Sequence, residues 1–301
     1  DGEEDHTLLF SALGNFFGKD QSSLFVDTTI SGENMDADQK TRTDFKEALY
    51  TFKLDYTMPF SEGWSMEGGA QYVLNDVSND YEVENLIGGD YVLDPDYTNV
   101  FNYNQNVFGL YGTGAYELGK WGLKAGLRLE QTELNTLLED TNEDNHQSYF
   151  DLFPSVHSSY KVNQKVSLQA GYSRRIFRPG LWDLNPFFNI RNNYSIRQGN
   201  PDLQPEYTDS YEITSIYLLG KASVNLGFYY RYTTDVIERV STFEDNVNTV
   251  TPENVGTNNA TGIEFNFKYS LATWFSLNGD FNFGNYKRRG TFEMDVFDFK
   301  G

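Results

Sequence analysis

Arg174, Arg175, Arg178, Trp182, Arg191 and Arg197 crowd one stretch of the sequence, and by type they are the residues best suited to hold a ligand. A guanidinium is planar, permanently charged and presents its donors in a fixed fork, so several together read as a site for an anionic group. A structural role competes with that reading and is favoured over it. The same arginines would pair with Asp183, Asp202, Glu206 and backbone carbonyls and so hold a loop in place. Nothing nearby supplies catalysis. The three histidines, His6, His146 and His157, are far apart and lack metal-ligand spacing. No nucleophile context such as G-x-S-x-G occurs. Glu264 and Asp280 read as polar partners rather than as a general acid and base, and His157 as a solvated or hydrogen-bonded side chain. No enzyme activity, metal or cofactor is expected, and the absence of cysteine removes disulfide and thiol chemistry.

The arginines lie between Ser173 and Ile213, together with Pro179, Pro186, Pro201 and Pro205 and the aromatics Phe177, Phe187, Phe188 and Tyr194. Proline fixes φ and pushes its predecessor towards extended geometry, so the stretch is too punctuated to be a helix. Its aromatics argue against a disordered linker. The reading is an ordered loop, folded back on its own apolar side chains, that joins two long strands.

Period-two alternation recurs about a dozen times around that loop. The first two strands are expected near His6 to Phe17 and Gln21 to Ser31, turning at Gly18 to Asp20. Clearer patterns follow. Tyr50, Phe52, Leu54, Tyr56 and Met58 alternate with Lys53 and Asp55; Trp64, Met66 and Tyr72 alternate with Glu67 and Gln71. A long polar loop is then expected, to about Asn104. Leu123, Leu127 and Leu129 oppose Lys124, Arg128 and Glu130, while Phe150, Leu152 and Val156 oppose Asp151 and His157. Beyond the loop, Arg231, Glu264, Lys268 and Asp280 again face away from the apolar side chains.

Alternation by itself also fits a soluble sandwich. Strands of roughly 10 to 13 residues, twice the globular norm, instead match the length needed to cross a bilayer at a tilt. Short turns alternate with loops of roughly 15 to 30 residues, as periplasmic turns alternate with extracellular loops. Trp64, Trp121 and Trp274 each follow a short turn, where an interfacial aromatic girdle belongs. Lys53, Asp55, Glu67, Lys124, Arg128, Glu130, Arg231, Glu264, Lys268 and Asp280 are accordingly expected to face a watery lumen. The fold class expected is an all-β, transmembrane, antiparallel up-and-down β-barrel, with about 12 strands present.

The run RRIFRPGLWDLNPF followed by IRQGNPDLQPEYTDSYE, with YFDLFPSV, YYRYTTDVIERV and TPENVGT, resembles the barrel of TonB-dependent receptors, specifically the outer-membrane β-barrel family common in Bacteroidota. The resemblance covers most of the chain and implies about 22 strands around an N-terminal plug. No plug or TonB box is visible in these residues. The strand map puts both chain ends on the long-loop side, so the chain reads as an interior slice, one partial barrel domain over 1–301. The resemblance implies an outer-membrane receptor that binds a bulky, unidentified solute and imports it with energy from the TonB system, contacted through the plug. Its other expected partners are outer-membrane lipid, lipopolysaccharide and a surface lipoprotein. A small passive porin and a soluble β-sandwich adhesin are the alternatives.

The charge is consistent with these readings. A net charge of −21, from 44 acidic and 23 basic residues, argues against a nucleic-acid partner, which needs a basic footprint. The mean hydropathy of −0.57 hides barrel strands, whose signal is weak per segment. Acidic runs at Asp76 to Glu84, Asp90 to Asp96 and Glu139 to Asp144 read as solvated loop tips in preference to divalent-ion sites.

Overall fold

The computed structural model describes residues 6–26, 28–31, 38–61, 63–187, 189–192, 195–244, 246–292 and 295–301, of which 59–61, 189–192 and 295 are described by backbone alone. The elements are β1 (Thr7–Phe25), β2 (Gln39–Ser61), β3 (Trp64–Ile87), β4 (Asp90–Leu93), β5 (Asn99–Leu118), β6 (Trp121–Leu138), β7 (Glu143–Lys161) and β8 (Val166–Phe177). Then come α1 (Leu181–Leu184), β9 (Asn189–Asn192), β10 (Ser195–Arg197), β11 (Glu206–Leu219), β12 (Ala222–Glu244), β13 (Val247–Ala272), β14 (Phe275–Phe292) and β15 (Asp295–Lys300). All the strands join one 15-stranded sheet, which has twelve antiparallel staves once the short β4, β9 and β10 are set aside. The staves follow chain order, so each pairs with its sequence neighbour, as an up-and-down barrel wall requires. Among the described residues β1 pairs only β2 and β15 only β14, so the sheet is not closed.

The sheet curls. Phe45 of β2 and Ile237 of β12 pack against one buried cluster, although in a flat sheet their strands would lie roughly 34 Å apart at the usual spacing. The face that carries the cluster is therefore concave. In the half of the wall nearest the short turns, the convex face carries large apolar side chains open to the surroundings, such as Leu127 at 46% exposure and Phe281 at 63%. Two aromatic belts bound this band. Near the turns Trp64 packs on Tyr116 and Trp121 on Tyr160, with centroids 4.3 and 4.5 Å apart. Further up, Phe16 meets Tyr50 at 5.5 Å, and Tyr211 sits between Tyr172 at 5.0 Å and Tyr230 at 6.1 Å. Amphipathic rings favour the two interfaces of a bilayer, so the band between them is the membrane-facing zone.

Several expectations are corrected. The first two strands are one: Gly18, Lys19 and Asp20 lie mid-strand in β1, paired with Lys46, Phe45 and Asp44 of β2. That turns β1 round, so that it begins at the short-turn end. The polar loop expected up to Asn104 is mostly strand, because β3 continues to Ile87 and β5 begins at Asn99. The acidic run Asp76 to Glu84 is thus strand rather than loop tip. The long loops shrink in the same way, and β13 reaches 26 residues. The hydrophobic phase changes above the membrane-facing zone, and reading one fixed phase hid these extensions.

The β7–β8 and β13–β14 pairings also end partway up. β7 and β8 pair only from Lys161 and Ser167 up to Ser155 and Ser173. β14 leaves β13 at Gly256 and Gly290, and β10 pairs in parallel with the freed end of β13. Glycine is required at that crossing. Gly256 has φ of 149°, and a Cβ on Gly290 would overlap the carbonyl of Val255.

Candidate functional site

The segment between β8 and β11 folds inward onto the concave face. It is rooted by Arg178, whose Nη2 donates to Glu130 Oε2 at 2.6 Å and to Thr132 Oγ1 at 3.1 Å. Glu130 also accepts from Arg128 Nε at 2.5 Å, and Arg128 donates to Gln71 Oε1 at 2.8 Å. One carboxylate thereby holds two guanidiniums in a largely dry setting, with Arg178 Nε left without an acceptor among the described residues.

Next comes α1, the only helical turn among the described residues, started by the N–H of Gly180 donating to Asp183 Oδ2 at 3.1 Å. Leu181, Leu184 and Leu203 enter a buried cluster with Val77 of β3, Phe101 and Tyr103 of β5, and Leu134 and Leu138 of β6. Burial pushes the Tyr103 phenol above its ordinary pKa. The return limb crosses close over α1: the N–H groups of Gly199 and Asn200 donate to the carbonyls of Asn185 and Asp183, both at 2.7 Å. A Cβ on Gly199 would meet those backbone atoms at 2.5 to 2.8 Å, so only glycine fits. Side chains of the wall complete the fastening. Gln147 Nε2 donates to the carbonyl of Pro201 at 2.8 Å, Asn254 Nδ2 to that of Gln204 at 2.9 Å, and Asn200 Nδ2 to Glu253 Oε2 at 3.0 Å. Burial raises the pKa of Glu253, and the bond from Asn200 opposes that rise.

The inserted segment leaves a vestibule of about 970 Å³ between itself and the inner faces of β1, β2 and β3, reaching β12 and β13. Trp182 stacks on Phe45 there, with centroids 5.7 Å apart and planes at 18°, and Phe17 meets Phe45 edge-on at 5.9 Å. Lys19, Arg197 and Arg239 supply positive charge, and Asn79 contributes to the lining.

The expected ligand residues separate. Trp182 and Arg197 line the vestibule. Arg178 is the root of the segment, committed to Glu130 of the wall rather than to Asp183, Asp202 or Glu206. Arg174 lies 3.9 Å from Asp209 and over the Tyr207 ring, outside the vestibule lining. Arg175 is exposed with no ion pair among the described residues, and the side chain of Arg191 lies outside them. Phe17, Lys19, Phe45, Asn79 and Arg239 were missed. The first two were legible as alternating residues of β1, had Gly18 not been read as a turn. Nothing in the sequence ties Arg239 to Lys19.

Nearer the short turns, the face that bears Glu130 carries an ion-pair ladder. Lys53 Nζ is 2.9 Å from Asp55, which accepts from the Tyr111 hydroxyl at 2.5 Å, and Lys124 is 3.1 Å from Glu67. Arg231 sits 3.7 Å from both Glu212 and Glu264. By register Lys268 and Asp280 share this face with Glu264. Such a surface suits a water-filled interior.

Residues 2–300 match the model of the outer membrane protein beta-barrel family. The chain belongs to that family. Its place is therefore the outer membrane, which agrees with the two aromatic belts. The described residues contain no helix long and apolar enough to cross a membrane. The barrel also resembles solved receptor and transporter barrels. The ferric-catecholate import receptor Fiu from E. coli K12 superposes with a TM-score of 0.66 at 12% identity, over 95% of this chain and 45% of that one. The copper transporter OprC gives 0.65 at 12% identity, over 95% and 52%. The ferripyoverdine receptor of Pseudomonas aeruginosa gives 0.62 at 13%, over 94% and 38%. The chain spans about half or less of the length of these structures. No curated protein matches it. At such identities the likeness speaks for the fold alone, that of an outer-membrane β-barrel wall.

Proposed function

We propose that this outer-membrane wall belongs to a receptor that captures a bulky solute at its outer end and imports it with energy drawn from TonB. The observation that carries the reading is the inserted segment: it narrows the outer end of a wide polar interior to a vestibule lined by aromatic and cationic side chains. A constriction also sets selectivity in a passive pore, but a lining of stacked aromatic and cationic side chains suits a site that holds its cargo. The open edges of β1 and of the lower part of β14 fit a larger barrel, since unpaired strand edges are not tolerated in lipid. The plug that couples to TonB would occupy the interior beside the ion-pair ladder. Lipopolysaccharide would surround the upper aromatic belt, and a surface lipoprotein could cap the outer end.

The test is uptake of labelled ferric chelates, glycans, peptides and cofactors by cells with and without the receptor and TonB. One class should accumulate only when both are present. Accumulation that persists without TonB overturns the energised reading in favour of a passive pore.

A further inference from the structure

The lining of the vestibule has a charge balance opposite to that of the chain. Acidic residues outnumber basic ones by 44 to 23 overall, yet Lys19, Arg197 and Arg239 line the cavity against Glu47 and Asp183. Asp183 is held in place by accepting the N–H of Gly180 and keeps its charge, so the cations still outnumber the carboxylates by three to two. Lys19 and Arg239 have no ion-pair partner among the described residues. In a protein with so many carboxylates, two cations left unpaired in the lining of one cavity are positioned for a negative group brought from outside.

Two further observations bear on the ligand. Trp182 is 54% exposed although it is stacked on Phe45, so one aromatic face remains open to the cavity beside Phe17. Such a face is a platform for a second ring. Asn79, at 3% exposure, has an Oδ1 with no hydrogen-bond donor. A buried carbonyl oxygen without a donor is uncommon enough in folded proteins to need an explanation, and a ligand hydroxyl or N–H supplies one.

We propose that the vestibule binds a ring-bearing anion. Its ring stacks on Trp182, its negative group lies against Lys19 and Arg239, and a hydroxyl or N–H donates to Asn79 Oδ1. The remaining carboxylate, Glu47, accepts from a further donor on the same ligand. This names the class of solute for the receptor proposed above and rests on that reading for its physiological use. The binding chemistry itself does not depend on import.

The probe is pyranine, a trisulfonated hydroxypyrene, followed by fluorescence anisotropy on the full-length protein in detergent. Citrate serves as an anion without an aromatic ring and proflavine as a cationic ring. Pyranine should bind more tightly than both. The double variant Lys19→Gln, Arg239→Gln should weaken it by about tenfold or more, as the loss of charge-assisted contacts predicts. Trp182→Ala should weaken pyranine and leave citrate unchanged. Because Lys19 and Arg239 are exposed, their variants should keep the heat-modifiable migration of a folded barrel. Failure of pyranine to bind, equal binding of citrate or proflavine, or unchanged affinity in the double variant overturns the proposal. TonB plays no part in this assay. A negative result therefore leaves the import reading standing, and TonB-independent uptake would remove that reading without touching this site.

Discussion

The lower and upper halves of β6 follow opposite rules. Between the aromatic belts, Leu123, Leu127 and Leu129 point to the convex side while Lys124, Arg128 and Glu130 share the concave one. Above Glu130 the chain keeps its register, but Leu134 and Leu138 now face inward to the buried cluster and Gln131, Glu133 and Asn135 face outward. β3 and β5 change phase at the same level. Asp76, Asp80 and Glu82 take the outer face opposite Val77, Tyr81 and Val83, and Asn102 and Asn104 take it opposite Phe101 and Tyr103. A strand has no intrinsic inside. Lipid lies outside and water inside in the lower zone; in the upper zone water lies outside and the inserted segment fills the interior. Each face takes the polarity of what it touches.

Glu130 stands at the changeover, and its removal should have the largest effect. Glu130→Ala leaves Arg128 and Arg178 without their shared carboxylate, and losing one partner of a buried ion pair costs about 3–5 kcal/mol. Urea unfolding of the full-length protein in vesicles should show that loss. Hydrogen exchange should show faster exchange across residues 178–205. Unchanged exchange there would mean that the leucine cluster alone retains the segment.

The two rules can be compared on one face of one strand. Leu127→Arg puts a cation into lipid and should cost about 2–4 kcal/mol, whereas Asn135→Arg, outward but above the upper belt, should stay within about 0.5 kcal/mol. Equal penalties in the same unfolding assay would place the membrane boundary elsewhere.

A pH effect is expected in the upper zone. Burial raises the pKa of Glu206, with partial relief from the N–H of Ile237 at 2.7 Å. A carboxyl whose folded pKa is raised contributes stability that is full below its unfolded value, about 4.5, and is lost as pH rises through the folded value. Glu206→Gln keeps an acceptor for Ile237. It should increase exchange protection of β11 and β12 at neutral pH and converge with the parent under acid. A gain of equal size at both pH values would mean that ionisation is not the cause.

The smallest effect is expected on the outer surface of the upper zone. Arg42 pairs with Asp20 at 3.0 Å, with both side chains at least half exposed. Solvent and salt screen such a pair, so Arg42→Ala should leave the unfolding midpoint unchanged. A measurable loss would show that this surface is drier than its exposure implies.

Much of the lower zone was legible in the sequence. Alternation from Tyr50 to Met58 and from Trp121 to Leu129, with a tryptophan after each of three turns, gave the staves, their facing and the belt near the short turns. The upper belt was missed, because tyrosines such as Tyr172 and Tyr211 form a belt only once the register brings them together. Extensions such as 73–87 of β3 look like loop in the sequence because their polar residues switch faces, and one fixed phase cannot follow a change of solvent. The arginine stretch reads in the sequence as a loop folded back on its own apolar side chains; its described residues do join two long strands, but they rest on the wall through Leu181, Leu184 and Leu203 and include the helical turn α1. Its partners could not be read, since Glu130 and Gln147 come from strands well separated from it in sequence.

The sequence by itself determined the strand period, the up-and-down order of neighbours and the membrane-facing residues, because these depend on contacts between adjacent staves and on the local alternation of side chains. Only the tertiary structure decided where the phase inverts, that the Arg178 segment turns inward, and that Phe17, Asn79, Trp182 and Arg239 share one cavity. Those facts depend on the curl of the sheet, which brings β1 and β12 to the same vestibule although many strands separate them along the wall.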